Sequence, residues 1–145
     1  MLVALSTGAA LGHALEMPAK LTFDGALWLT LQQRVYAPGY GTLGSAFEAG
    51  AVLSAPVLAF MLRGRGAVFL WTLLGALCVL AAHAAFWAWV APVNAAIESL
   101  APERLPADWQ SLRSQWEYTH AARAVLQACA LGCLVQSILS AKERP

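Results

Sequence analysis

The chain has 145 residues, 59% of them hydrophobic and 12% charged, with a formal net charge of +1. A soluble domain carries about 25% charged residues, so this composition, with six tryptophans and a mean hydropathy of +0.60, points to one membrane-embedded domain. It excludes a basic nucleic-acid surface and an acidic tail, and the chain holds no Gly-rich phosphate loop, dinucleotide fingerprint, low-complexity tract or internal repeat.

Four hydrophobic segments, near residues 2–18, 46–62, 67–90 and 116–139, predict an all-α transmembrane four-helix bundle. The first opens MLVALSTGAALGHALEM. It lacks the positive n-region of a signal peptide, and His13 and Glu16 interrupt its apolar run, so a retained helix continuing through a kink at Pro18 is the better reading. The connection that follows, residues 19–45, has content. FDGALWLTLQQRVY offers Asp24 as an N-cap and places Leu27, Trp28, Leu31 and Val35 near helical spacing. It predicts an interfacial helix between helices 1 and 2, with residues 24–35 able to serve as a lid. YAPGYGTLGS then reads as a turn.

The second and third segments are joined by RGRG at 63–66, a tight basic connection. The second long connection, residues 91–115, has two prolines before an N-cap signal at Asp108, from which the fourth helix runs into the membrane. Arg63 and Arg65 in the short loop, with Lys142 and Arg144 at the C-terminus, give an N-in/C-in topology by the positive-inside rule. The long connections, where acids accompany Lys20, Arg34, Arg104 and Arg113, then lie outside. The Ala- and Leu-rich composition suggests a bacterial inner membrane, with the outer side in the periplasm.

Ionisable groups gather in the outer half. His13 and Glu16 come from helix 1, Glu48 from helix 2, His83 from helix 3, and Glu117, His120 and Arg123 from WEYTHAAR at the opening of helix 4. A charged side chain in lipid costs about 2.5–3.5 kcal/mol on an insertion scale, so these groups should face inward and satisfy one another. His13-x-x-Glu16 and Glu117-x-x-His120 each set a carboxylate and an imidazole one turn apart. Four-helix carboxylate metal proteins use Glu-x-x-His on two helices with a further carboxylate from each of the other two. The match is partial, since helix 1 reverses the order and helix 3 supplies a histidine. The candidate metal ligands are His13, Glu16, Glu48, His83, Glu117 and His120, a donor set that suits iron, manganese or zinc, with copper a further candidate. Haem is the other cofactor reading, through histidine axial ligands. The competing readings are a metal-free functional pocket and a structural network in which Arg123 neutralises Glu117.

Other residues are weighed in the same way. Trp87, Trp89, Trp109 and Trp116 read as an interfacial aromatic belt, Arg113 as an ion-pair partner of Glu117 one turn away, and Asn94 as a cap, a turn or a site residue. Cys78, Cys129 and Cys133 read as small buried apolar residues. Gly8, Gly12, Gly50, Gly75 and Gly132 lie within the spans and predict close helix contacts.

The run PVNAAIESL…DWQSLRSQWEYTHAAR resembles the DUF1772 membrane family, which includes the fungal anthrone oxygenases. That family shows a Pro-x-Asn after the third span, then a tryptophan and an arginine, then a Trp-x-x-x-His/Asn-x-x-Arg-like opening of the fourth. The matching positions are Pro92, Asn94, Trp109, Arg113, Trp116, His120 and Arg123, about a quarter of the chain, while Glu48 and the His13/Glu16 pair lie outside the matched motifs. The resemblance implies a small four-helix membrane protein and oxidation of a flat aromatic polyketide, or an uncharacterised bacterial role.

These observations lead to a membrane oxidoreductase of the oxygenase type acting on a hydrophobic small molecule. His120, Arg123 and His83 are its candidate catalytic residues, and Asn94, Trp109 and Arg113 line the substrate mouth. The alternative is a non-enzymatic membrane subunit binding a cofactor, a lipid or a partner protein, in a homo-oligomer or a larger complex. A transporter would need polar groups in the cytoplasmic half, and the sequence has almost none there.

Overall fold

The computed structural model describes residues 1–142, so Arg144, counted above with Lys142, lies outside the described residues. Every element among them is helical. α1 runs Leu2–Lys20 and passes through Pro18 without a break. α2, Gly25–Leu31, starts on an Asp24 side chain that accepts the Leu27 amide at 2.8 Å. It flows through a wide-turned π-helical segment, Gln32–Gly44, into α3, Ser45–Met61. α4, Ala67–Ala85, passes through a shorter π segment, Phe86–Val90, into α5, Ala91–Glu98. α6 runs Trp109–Lys142, directly after Asp108.

Three continuous helices are long and apolar enough to cross a membrane: Gly25–Met61, Ala67–Glu98 and Trp109–Lys142, of 37, 32 and 34 residues. A bilayer needs about 20, so each overhangs one side, and the overhangs form a head opposite the Arg63–Gly66 turn. That turn is tight because Gly64 and Gly66 take positive φ, 91° and 56°, where a side chain would be strained.

Two expectations are corrected. First, α1 is not among the helices apolar enough to span. Its buried stripe, Val3, Ser6, Thr7, Ala10, His13 and Lys20, is mostly polar. Val3 packs with Ala51, Val79 and Ala130, which stand midway along α3, α4 and α6, so α1 fills only the head half of the bundle. Second, YAPGYGTLGS is not a turn, and 24–35 is not a surface helix. Trp28 and Leu29 are fully buried, and the π segment carries the chain helically past Pro38 and three glycines. Thr42 Oγ1 donates to the Pro38 and Gly39 carbonyls at 2.7 and 3.1 Å. Wide turns tolerate interrupted ladders and recur at functional sites.

The head core unites Trp28, Leu29, Tyr36, Val90, Val93, Ile97 and Trp116. The far half is built from small residues, with Ala55, Ala59 and Ala76 clustered. Gly75 lets α4 approach α6: a Cβ there would sit 3.1 Å from the Ala130 carbonyl and from Leu134. Gly8 and Gly132 instead face open space. Thr72 and Ser137 share a 2.7 Å hydrogen bond between these helices. Outside, Leu53, Val57, Phe60, Leu70, Trp87, Trp89, Val125 and Ile138 are exposed, an apolar outer surface compatible with a membrane. The three cysteines are free, and Cys129 is exposed rather than buried.

Candidate functional site

α1 runs antiparallel to α6, and three polar rungs join them at seven-residue steps of α1. Ser6 Oγ donates to Gln127 Oε1 at 2.8 Å. The His13 and His120 rings lie 4.6 Å apart between centroids. Lys20 Nζ stands 2.9 Å from Glu117 Oε2. Seven residues make close to two helical turns, so Ser6, His13 and Lys20 share one face, and that face meets the α6 stripe of Glu117, His120, Arg123 and Gln127, all buried.

Each member of the WEYTHAAR stripe has a different partner. Glu117 receives Lys20 and the Trp28 indole, at 3.2 Å. Lys20 is 1% exposed, its ammonium also 4.7 Å from the Tyr36 ring centroid and 4.8 Å from that of Trp116. Arg123 pairs with Glu48, Nη2 to Oε2 at 2.5 Å, and donates Nε to the Ala82 carbonyl at 3.0 Å. The Arg123–Glu117 and Arg113–Glu117 pairs expected from spacing are thus replaced. Arg113 Nη1 instead donates to the Lys20 and Phe23 carbonyls, at 3.3 and 2.6 Å, holding the end of α1.

Histidine protonation follows from these bonds. His120 Nδ1 lies 3.0 Å from the Trp116 carbonyl. A carbonyl only accepts, so Nδ1 carries the hydrogen, and in the neutral ring Nε2 keeps its lone pair. His120 stacks on Trp116, centroids 3.8 Å apart and planes 29° apart. His13 sits among Tyr36, Tyr40, Trp116 and His120. Its Nδ1, like Gln32 Nε2, is buried without a hydrogen-bond partner.

A cavity of about 820 Å³ opens beside this ladder, within the range of small-molecule sites. Of the expected site residues, His13, Glu48, Asn94, His120 and Arg123 line it. Asn94 Oδ1 accepts the Trp116 indole at 2.9 Å. Glu16, His83, Trp109, Arg113 and Glu117 lie outside the lining. Glu16 accepts the Tyr36 hydroxyl at 2.6 Å, and Trp109 packs under the Arg113 guanidinium, 4.7 Å from its ring centroid. Trp116, read above as an interfacial belt residue, is 3% exposed and forms a wall of the cavity. Tyr36, Tyr40, Gln32 and Gln127 also line it; they were missed because the π segment read as lid and turn, and because Gln127 carries no charge. Their signals were the i,i+4 tyrosine pair and a glutamine one turn beyond Arg123.

The six expected metal ligands do not converge. Glu117, Glu48 and Glu16 are held by Lys20, Arg123 and Tyr36, and His83 is held by Trp87 and Glu48. Among the described residues, no three of His, Cys, Asp and Glu form a group that could hold a metal ion. Held in these pairs, the six side chains do not form a metal-ligand set. No family model, no curated protein and no solved structure matches the chain.

Proposed function

We propose that the protein is a membrane-embedded oxidoreductase of the oxygenase type, which takes a flat, mostly apolar molecule with an acidic O–H or C–H into the head cavity and removes its proton at His120. One observation carries this reading. His120 faces the cavity as the tautomer with a bare Nε2, and Arg123, one turn further on, lines the same cavity. Arg123 engages Nε and Nη2 with protein oxygens, leaving Nη1 to hold the oxyanion that proton removal creates. Aromatic walls from Tyr36, Tyr40, Phe86 and Trp116 suit a flat ring. The resemblance of the Pro92–Arg123 region to the anthrone oxygenase family points to the same class of chemistry.

The oxidant is dioxygen. For an activated methylene the balanced change is CH2 + O2 → C=O + H2O. His120 takes the first proton, four electrons pass from carbon to oxygen, and both hydrogens leave in the water. On the positive-inside rule we read the Arg63–Arg65 turn as cytoplasmic and the cavity as facing the periplasmic side of a bacterial inner membrane. A second reading, a non-enzymatic binding subunit, is favoured by the closed pairing of Glu48 with Arg123 and of Glu117 with Lys20.

The test uses 4-nitro-1-naphthol, a flat phenol whose anion is coloured, with the detergent-purified protein. Binding should move its ionisation to lower pH, and His120→Ala and Arg123→Gln should abolish the shift. Oxygen uptake over a panel of hydrophobic phenols and enolisable ketones separates the two readings. Ionisation without uptake leaves the binding subunit, and an unshifted titration overturns proton removal at His120.

A further inference from the structure

Beyond the cavity wall, Glu48 continues into a chain of side chains that never reach the ligand space. The Trp87 indole donates to His83 Nε2 at 2.9 Å. An indole only donates, so Nε2 carries a lone pair and the ring hydrogen is on Nδ1. Nδ1 lies 3.1 Å from Glu48 Oε1, to which it donates. Glu48 Oε2 accepts from Arg123. Every link has one permitted direction, and both carboxylate oxygens are fixed. The Phe86 ring closes the arrangement, 4.9 Å from the guanidinium. Trp87 is 63% exposed on the outer surface, in the short π segment.

We infer that Trp87 and His83 are positioning residues: a surface tryptophan sets the tautomer of His83, which orients Glu48 and through it aims Arg123 into the cavity. The inference rests on the proposed role of Arg123. It assigns His83 a role as neutral hydrogen-bond donor, in place of metal ligand or proton-transfer group.

The experiment compares wild type, His83→Asn, His83→Leu and Trp87→Phe, with Arg123→Gln as the reference for lost anion binding. Asparagine keeps an N–H donor near the Nδ1 position and cannot titrate; leucine keeps bulk only. Affinity is read for the 4-nitro-1-naphtholate anion and for 1-nitronaphthalene, a flat probe with no ionisable group. His83→Leu and Trp87→Phe should weaken the anion by about tenfold, the scale of one lost charge-assisted hydrogen bond, with 1-nitronaphthalene unchanged. His83→Asn should stay near wild type. Loss in His83→Asn equal to that in His83→Leu would overturn the proposal and make the imidazole itself the active group. So would unchanged anion affinity in Trp87→Phe, whose exposed site keeps that arm readable if His83→Leu fails to fold. If Arg123→Gln itself leaves anion affinity unchanged, the cavity reading fails instead.

Discussion

Lys20 shows how a residue's role depends on what faces it. By sequence it is a loop charge beside a proline; in the fold it is buried against Glu117 with both side chains within 2% of full burial. Removing one partner of a buried pair strands the other charge, at about 3–5 kcal/mol, whereas replacing both is often near neutral. Lys20→Met and Glu117→Gln should each lower the thermal unfolding temperature in detergent sharply, and the double variant should recover most of the loss. Additive losses would mean the two groups are stabilised independently. His120 and Arg123 were legible for a different reason: ionisable groups inside an apolar run are costly wherever they lie, so their presence alone marks them. The partners of Arg123 and Glu117 were not legible, because helical spacing ranks neighbours along one helix, while these two are satisfied from α3 and α1.

Among the elements, α4 and α6 share the most extensive contact, and Gly75 stands at a close approach within it. Gly75→Leu should cost about 1–3 kcal/mol by overpacking, because the Ala130 carbonyl opposite it is backbone and cannot turn aside. Gly132→Leu, facing open space, should leave stability unchanged. Thermal denaturation of the two variants checks the contrast, and equal losses would contradict it. The π segment is the element that sequence rules misread. Pro and Gly in YAPGYGTLGS signal a turn locally, yet Tyr36 and Tyr40 pack on His13, and Tyr36 also bonds Glu16. Those contacts exist only once α1 is docked. Tyr36→Phe should therefore cost about 1 kcal/mol, read in the same melts.

For the whole molecule, three long helices with exposed apolar flanks surround a head that one shorter helix fills. Single-tryptophan variants in vesicles of acyl-brominated lipid should report this directly. Trp71 and Trp87, both exposed, should be quenched, while Trp28, fully buried in the head core, should not. An unquenched Trp71 would contradict a lipid-facing far half. The cavity lies in the head because the overhanging lengths of the three long helices and the buried stripe of α1 meet there, away from the Ala-packed half.

The sequence by itself determined that the chain is helical with runs long and apolar enough to cross a membrane, since its composition leaves few alternatives, and it determined at which end the ionisable groups gather, since charge inside apolar runs is costly. It also contained, unread, the heptad of Ser6, His13 and Lys20. Only the tertiary structure decided the pairing: Lys20 with Glu117, Arg123 with Glu48, His83 between Glu48 and Trp87. All but the His83–Trp87 bond, which lies within one continuous helix, join residues from different helices. Burial makes an unpaired polar group costly, so the docked geometry, and not spacing along one helix, selects which partner each group takes.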